Sequence, residues 1–220
     1  LLYSVSPIIR LLSTQWFLMP LSEQIANSIH TLHQQAQQSF HRRLLVLSGS
    51  ENWCFRYVDV YLAQICNKEA LLISDKAPLL GLSPVKASKL SQQLGSEYRT
   101  LIWDGFSGLN PDGLGIASGL LRGGGLFIFL LPSLESLQTQ ADIDYLRMCS
   151  ERDDLASFHT FFLRRLVNQI KNSDGLLLIE EGKVPQPISD ITSNTLNEVG
   201  KLPTSDQLSA INAIKKVAFG

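Results

Sequence analysis

The sequence predicts an α/β fold: an open, mostly parallel, doubly wound sheet flanked by helices. Three observations predict it. Five short apolar runs, Leu44–Ser48, Ala70–Ser74, Thr100–Asp104, Leu126–Leu131 and Leu176–Ile179, show no polar alternation, as strands do when helices cover both faces of a parallel sheet. Helical patterns stand between the runs, so β and α alternate over about residues 40–182, and alternation of that kind builds parallel, right-handed crossovers. The chain is 45% hydrophobic along its whole length, enough to bury a core and unlike a disordered chain.

The elements follow in order. Residues 1–20 are apolar, but their only charge, Arg10, lies in mid-segment and Ser6-Pro7 interrupts any helix. A signal peptide places its charge first, and a membrane span needs about 20 uninterrupted apolar residues. They are expected to be a variable or non-native extension, with no membrane partner. Residues 21–39 place Leu21, Ile25, Ile29, Leu32 and Ala36 on one helical face, with Ser22 available as a cap. Cys54, Val58, Tyr61, Leu62 and Ile65 form the second helical stripe. Ser83-Pro84 and Asn110-Pro111 each read as a cap followed by proline at the first helical position, the former ahead of Val85–Leu94. Gly123-Gly124-Gly125 reads as a helix stop and tight turn. In Leu155–Lys171 the stripe is Phe158, Phe162, Leu166 and Ile170, with Phe161 beside it, an apolar core face. Pro185-Gln186-Pro187 opens a linker-like stretch, and a last helix spans Ser205–Phe219. The expected organisation is an extension at 1–20, an α/β domain lacking a phosphate loop at 21–182, a linker at 183–202 and a separate helix at 203–220.

Charge excludes one class of function. With 19 Lys+Arg against 20 Asp+Glu the formal charge is −1, which rules out binding through bulk positive charge. Charged residues make up 18%, below the roughly 25% of an average soluble domain, as in a chain with much of its surface docked on something larger. Three cysteines, Cys54, Cys66 and Cys149, without a C-x-x-C pair argue against a disulfide framework or a zinc site and for a reducing, cytoplasmic setting.

Parallel α/β sheets bind ligands beyond the carboxyl ends of their strands, so those turns carry the search for chemistry. Ser48-Gly49-Ser50-Glu51-Asn52-Trp53 follows the first strand but lacks the second glycine and the lysine of G-x-x-x-x-G-K-[ST], the groups that close backbone N–H donors around phosphate and neutralise it. It reads instead as a helix start capped by Ser50 and held by Trp53. Asp104 ends its strand as a magnesium-holding carboxylate would, but with no phosphate loop opposite it reads as a turn aspartate ahead of Gly105. Gly113, Gly115 and Gly119 lie inside a helical pattern, where close helix packing accounts for them better than a dinucleotide fingerprint. Asp153-Asp154 and Glu180-Glu181 read as solvated charge. His30 and His33 are three apart on the first helix without a completing ligand, and read as an exposed polar face. Ser118 is one place off a nucleophile elbow. No metal-binding residues and no catalytic residues are assigned. The basic groups His41-Arg42-Arg43, Arg164-Arg165 and Lys215-Lys216 are candidates for RNA phosphate contact, and small basic pairs are also common on any surface.

Several segments nevertheless carry a resemblance. Arg42-Arg43-Leu-Leu-Val-Leu-Ser-Gly49 followed by Trp53-Cys54-Phe55, then Leu94-Gly95-Ser-Glu97-Tyr-Arg99, then Ala117 through Pro132, resemble the N-terminal domain of the bacterial tRNA(Met) cytidine acetyltransferase family, in order from about 40 to 172. The resemblance implies a Rossmann-like or degenerate RecA-like sheet. It also implies a parent in which a helicase-like ATPase module and an acetyltransferase module follow. That parent forms N4-acetylcytidine at the wobble position of elongator tRNA(Met), using ATP with magnesium and acetyl-CoA. Leu202-Pro203-Thr204-Ser205-Asp206-Gln207 resembles the segment ahead of the phosphate loop in such ATPases, where the glutamine contacts adenine, so Gln207 is the one cofactor-binding candidate. Thr204-x-x-Gln207 also fits a capping box for the last helix, and the two roles are compatible. No cofactor is expected in this chain itself, whose part is then scaffolding or RNA orientation beside the adjoining modules. The other class, a stand-alone nucleotide- or small-molecule-binding domain, would use the turns after Ser48 and Asp104.

Overall fold

The computed structural model describes residues 21–63, 69–76, 81–148, 161–173 and 175–185, with Ser205, Leu208, Ser209 and Asn212. The chain divides into two compact units, Leu1–Ser189 and Asp190–Gly220. In the second, the four described residues are helical, and Ser209 Oγ donates to the Ser205 carbonyl at 2.9 Å.

The first unit runs α1 (Leu21–Ser39), β1 (Arg43–Ser48), α2 (Glu51–Leu62), β2 (Ala70–Ile73), a 3-10 turn (Ala87–Gln93), β3 (Tyr98–Asp104), a short 3-10 turn (Gly105–Ser107), α3 (Pro111–Leu120), β4 (Leu121–Leu131), α4 (Leu134–Thr139), a 3-10 turn (Ile143–Met148), α5 (Phe161–Lys171) and β5 (Leu176–Glu180). The five strands form one sheet in the order β2-β3-β4-β1-β5, every described pair parallel. This is the α/β architecture expected from the apolar runs, because strands with no polar side must be covered twice. Leu45 and Leu47 of β1 point into a core shared with Ile25, Ile29 and Leu32 of α1 and Val58 of α2. Val46 points the other way, into a core with Trp103, Ala117 of α3 and Leu163, Val167 and Ile170 of α5. Each such buried aliphatic side chain contributes about 1.5–3 kcal/mol relative to exposure.

Local chemistry explains most boundaries. Asn110 caps α3, its Oδ1 accepting from Gly113 N at 2.7 Å, and Pro111 occupies the first turn where no N–H is required. Ser22 lies inside α1 rather than ahead of it. Ser83-Pro84 does not start an α-helix. Val85 instead bridges to Ile73, its N–H donating to the Leu72 carbonyl at 2.9 Å and its carbonyl accepting from Ser74 N at 3.1 Å. With both backbone groups spent on the edge of β2, helix begins only at Ala87, and as a 3-10 turn.

The three glycines before the fourth apolar run are not a helix stop. They lie within β4, where Tyr98 pairs with Leu121 but Thr100 pairs with Leu126, so the segment Arg122–Gly125 bulges out of register. Gly124 has φ +74°, and a Cβ there would lie 3.2 Å from Gln37 Cα, so α1 rests directly on this bulge. Of the α3 glycines only Gly113 is explained by packing, a Cβ there falling 2.9 Å from Trp103 Cη2, while Gly115 and Gly119 face open space. On α5 the buried stripe is Leu163, Val167 and Ile170, with Phe162 and Leu166 at its margin and Phe161 68% exposed, so the core face is rotated from the expected one. Phe158 lies outside the described residues.

Candidate functional site

At the carboxyl edge of the sheet, the turn after β1 is held from both sides. Gly49 N donates to the Leu131 carbonyl at 3.0 Å and Glu181 N to the Ser48 carbonyl at 2.9 Å, while Ser48 Oγ donates to the Pro132 carbonyl at 3.1 Å. The exits of β4 and β5 therefore flank the start of α2. Helix N-termini attract anions through free N–H donors and the helix dipole. Here the chain supplies the anion itself. Glu181 Oε2 accepts from Ser50 N at 2.6 Å and Oε1 accepts from Ser50 Oγ at 3.0 Å. Gly49 is glycine for a steric reason, since a Cβ would lie 2.6 Å from Glu181 Cβ and 3.2 Å from Trp53 Cε3.

Two expectations are corrected by this contact. Ser50 does occupy the N-cap position, but its hydroxyl makes no capping bond to α2 because it is turned to Glu181. Glu181 is exposed, as solvated charge is, but it is not set apart from the rest; it closes over the turn, and its neighbour Glu180 accepts from Lys183 Nζ at 2.8 Å. The groove around them, about 420 Å³, is lined by Ser48, Ser133, Glu135, Glu180, Glu181 and Lys183 among others. Three carboxylates against one ammonium make it a poor receptor for polyphosphate.

Asp104 lies beside this region and is 1% exposed. Its Oδ1 accepts from Phe106 N at 3.0 Å, and its Oδ2 from Ser74 Oγ at 2.7 Å and Ser107 Oγ at 2.6 Å. Lys76 Nζ stands 4.0 Å away and pairs with Glu51 of α2. Protein donors thus occupy the carboxylate, and the turn reading of Asp104 matches its role as cap of the 3-10 turn Gly105–Ser107. No group of three or more His, Cys, Asp or Glu placed to hold a metal occurs among the described residues.

Among the described residues, His33, Tyr61, Cys54 and Ser118 have structural partners. His33 is buried, not part of an exposed polar face. Its Nδ1 is 2.8 Å from Tyr61 Oη and its Nε2 is 3.0 Å from Gln37 Nε2. Tyr61 Oη is also 3.4 Å from Thr100 Oγ1. A Gln37 amide N–H donated to Nε2 requires the neutral ring with its proton on Nδ1, facing Tyr61 Oη. Burial first, and then the Arg99 charge, push the His33 pKa below its ordinary value. Burial pushes the Cys54 thiol and the Tyr61 hydroxyl each up to about 12, so Cys54 offers no thiolate nucleophile. Ser118 Oγ donates to the Gly115 carbonyl at 2.7 Å, a bond within its own helix. Arg164 and Arg165 are exposed on α5, with Arg164 Nε donating to the Gln138 carbonyl at 3.5 Å. Gln207 and Lys215-Lys216 lie outside the described residues.

Over residues 19–181 the chain matches the family described as tRNA(Met) cytidine acetyltransferase TmcA, N-terminal. The chain belongs to that family. The tRNA(Met) cytidine acetyltransferase TmcA of Nitrosococcus halophilus is 32% identical over 210 residues, covering 91% of this chain and 28% of that protein. The enzyme of the same name from Pectobacterium atrosepticum is 33% identical over 162 residues, 72% of this chain and 23% of that one. The chain therefore spans about a quarter of the length of these relatives. Among solved structures, a Bacteroides Pif1 helicase is similar at 17% identity and a TM-score of 0.41, over 90% of this chain and 50% of its own. No helix among the described residues is long and apolar enough to cross a membrane.

Within this family's N-terminal domain, sequence reasoning found the turn after β1 but missed Glu181. The signal available was an acidic pair at the end of an apolar strand. What it lacked was the knowledge that β5 lies next to β1.

Proposed function

We propose that this chain is the N-terminal, non-catalytic domain of a tRNA(Met) cytidine acetyltransferase, serving to orient RNA and to support the adjoining ATPase and acetyltransferase modules. In the parent, ATP with magnesium and acetyl-CoA drive acetylation of the cytosine exocyclic amine at the wobble position of elongator tRNA(Met), in the cytoplasm. Residues 21–182 are the domain proper, 183–202 the linker, and 203–220 the first helix of the ATPase module, where Gln207 contacts adenine.

One observation carries the non-catalytic reading: the position that would receive a phosphate is filled by Glu181, bonded at 2.6 and 3.0 Å to Ser50. No lysine stands in the Ser48–Trp53 turn to replace it. An extra phosphate would meet a carboxylate at close range rather than open N–H donors. Isothermal titration of the 220-residue chain with ATP and magnesium is expected to give no binding at micromolar concentrations. Saturable micromolar binding would establish the stand-alone nucleotide-binding alternative and overturn this reading.

A further inference from the structure

Helix α1 ends at Ser39, and Phe40 then takes the left-handed backbone conformation, φ 55°. Glycine or asparagine ordinarily fills such a helix-ending position, because a side chain there crowds the following carbonyl. The Phe40 side chain is also 81% exposed. Neither backbone preference nor burial accounts for an aromatic residue here.

Arginines stand at or beside the amino ends of the strands, and two of them share a groove with that ring. Arg42 and Arg43 follow it in the chain, Arg99 comes from β3, and Arg122 comes from the β4 bulge. Gln37, Phe40, Arg99, Arg122, Gly123 and Gly124 line an open groove of about 390 Å³. Arg99 and Arg122 share one carboxylate, Glu69, at 2.8 and 3.5 Å, and each guanidinium side chain remains about a third exposed, 37% and 33%. Arg42 and Arg43 have no acidic partner among the described residues, and Arg43 Nε is buried without a hydrogen-bond partner. Among the described residues, Glu69 and Glu97 precede β2 and β3 on this edge. The opposite edge carries Glu51, Asp104, Glu135, Glu180 and Glu181 against Lys76 and Lys183. A chain of net charge −1 thus presents its positive face on the edge away from the usual ligand side of an α/β sheet.

We infer that this amino edge binds an unpaired stretch of RNA, with a base stacked on Phe40 and the flanking phosphates met by Arg42, Arg43, Arg99 and Arg122. Unpaired RNA offers what the surface lacks: an aromatic face for an exposed ring and anions for unneutralised guanidiniums. An acidic protein segment supplies the charge but no stacking face. The assignment rests on the RNA-orienting part of the proposed function and places that role on a specific surface.

Fluorescence anisotropy of the 220-residue chain with a labelled oligouridylate of about 12 nucleotides, and with a duplex of the same length, tests it over a salt series. The single strand is expected to bind more tightly than the duplex. Phe40→Ala and Phe40→Gly each weaken binding about tenfold, while Phe40→Gly raises the unfolding temperature by relieving the left-handed strain. Arg42→Gln with Arg43→Gln lowers the slope of log K against log salt by about 1.4, two phosphate contacts on a single strand. Arg164→Gln with Arg165→Gln on α5 leaves binding unchanged. If the Phe40 and Arg42/Arg43 variants bind as the parent chain does, or if only the α5 variant loses binding, this surface is refuted while RNA orientation stands. A chain that binds neither RNA refutes both. Equal affinity for duplex and single strand refutes the stacking.

Discussion

Replacing Glu181 by alanine tests whether its carboxylate is an integral part of the α2 N-terminus. Two hydrogen bonds are lost, to Ser50 N at 2.6 Å and Ser50 Oγ at 3.0 Å. A bond to a charged acceptor contributes about 1.5–3 kcal/mol when buried, but Glu181 and Ser50 are exposed, and screening reduces each to about 0.5–1 kcal/mol. Loss of negative charge at the helix N-terminus adds about 0.3–1 kcal/mol. Against this, the freed Ser50 hydroxyl turns back to cap α2, returning about 0.5–1 kcal/mol. The net cost is about 1 kcal/mol, or about 2–4 °C in unfolding temperature for a chain of this size. Urea denaturation measures the total, and hydrogen exchange at the Ser50 amide reads the site itself, speeding about fivefold for a local loss of about 1 kcal/mol. Unchanged stability together with unchanged Ser50 exchange would show that Glu181 merely lies near the turn and would remove the physical basis for calling the phosphate position filled.

The remaining predictions concern packing and pH. Gly113→Ala drives a Cβ to 2.9 Å from Trp103 Cη2 and costs about 1–3 kcal/mol, whereas Gly115→Ala, with nothing within 4 Å, raises stability by about 0.5–1 kcal/mol through helix propensity. Equal effects of the two in urea denaturation would contradict the α3 packing. His33 has a folded-state pKa below its ordinary 6.5, burial being the first cause and Arg99 the second, so the unfolded chain takes up the proton more readily. Its contribution is complete above about pH 6.5 and is lost as pH falls below it. His33→Gln should therefore flatten the decline in urea midpoint between about pH 7 and pH 5 relative to the parent chain; an unaltered slope would place His33 outside the acid response.

Legibility followed the range of the interactions. The apolar run Leu126–Leu131 and the pair Asn110-Pro111 depend on neighbours a few residues away, so their roles could be read directly, and Asn110 caps α3 as its position requires. The helix expected after Ser83-Pro84 was displaced because Val85 bonds to Leu72 and Ser74, an edge pairing that no local propensity encodes. On α5 the phenylalanine stripe suggests one core face, but packing buries Leu163, Val167 and Ile170 instead. His33 reads as a surface residue in the sequence because its partner Tyr61 is 28 positions away, and Tyr61 is itself held to Thr100 a further 39 positions on.

The order of apolar and helical segments by itself determined that this chain is a doubly wound parallel α/β domain whose first turn lacks the groups to cradle phosphate. That much rests on periodicity and on residues adjacent in the chain. Only the tertiary structure decided that β5 lies against β1, which brings Glu181 onto Ser50 across 131 positions. The same is true of the β4 bulge, which sets Arg122 beside Arg99 and Phe40. Strand order and register are properties of the whole sheet, fixed by the simultaneous burial of both its faces, and no single segment contains them.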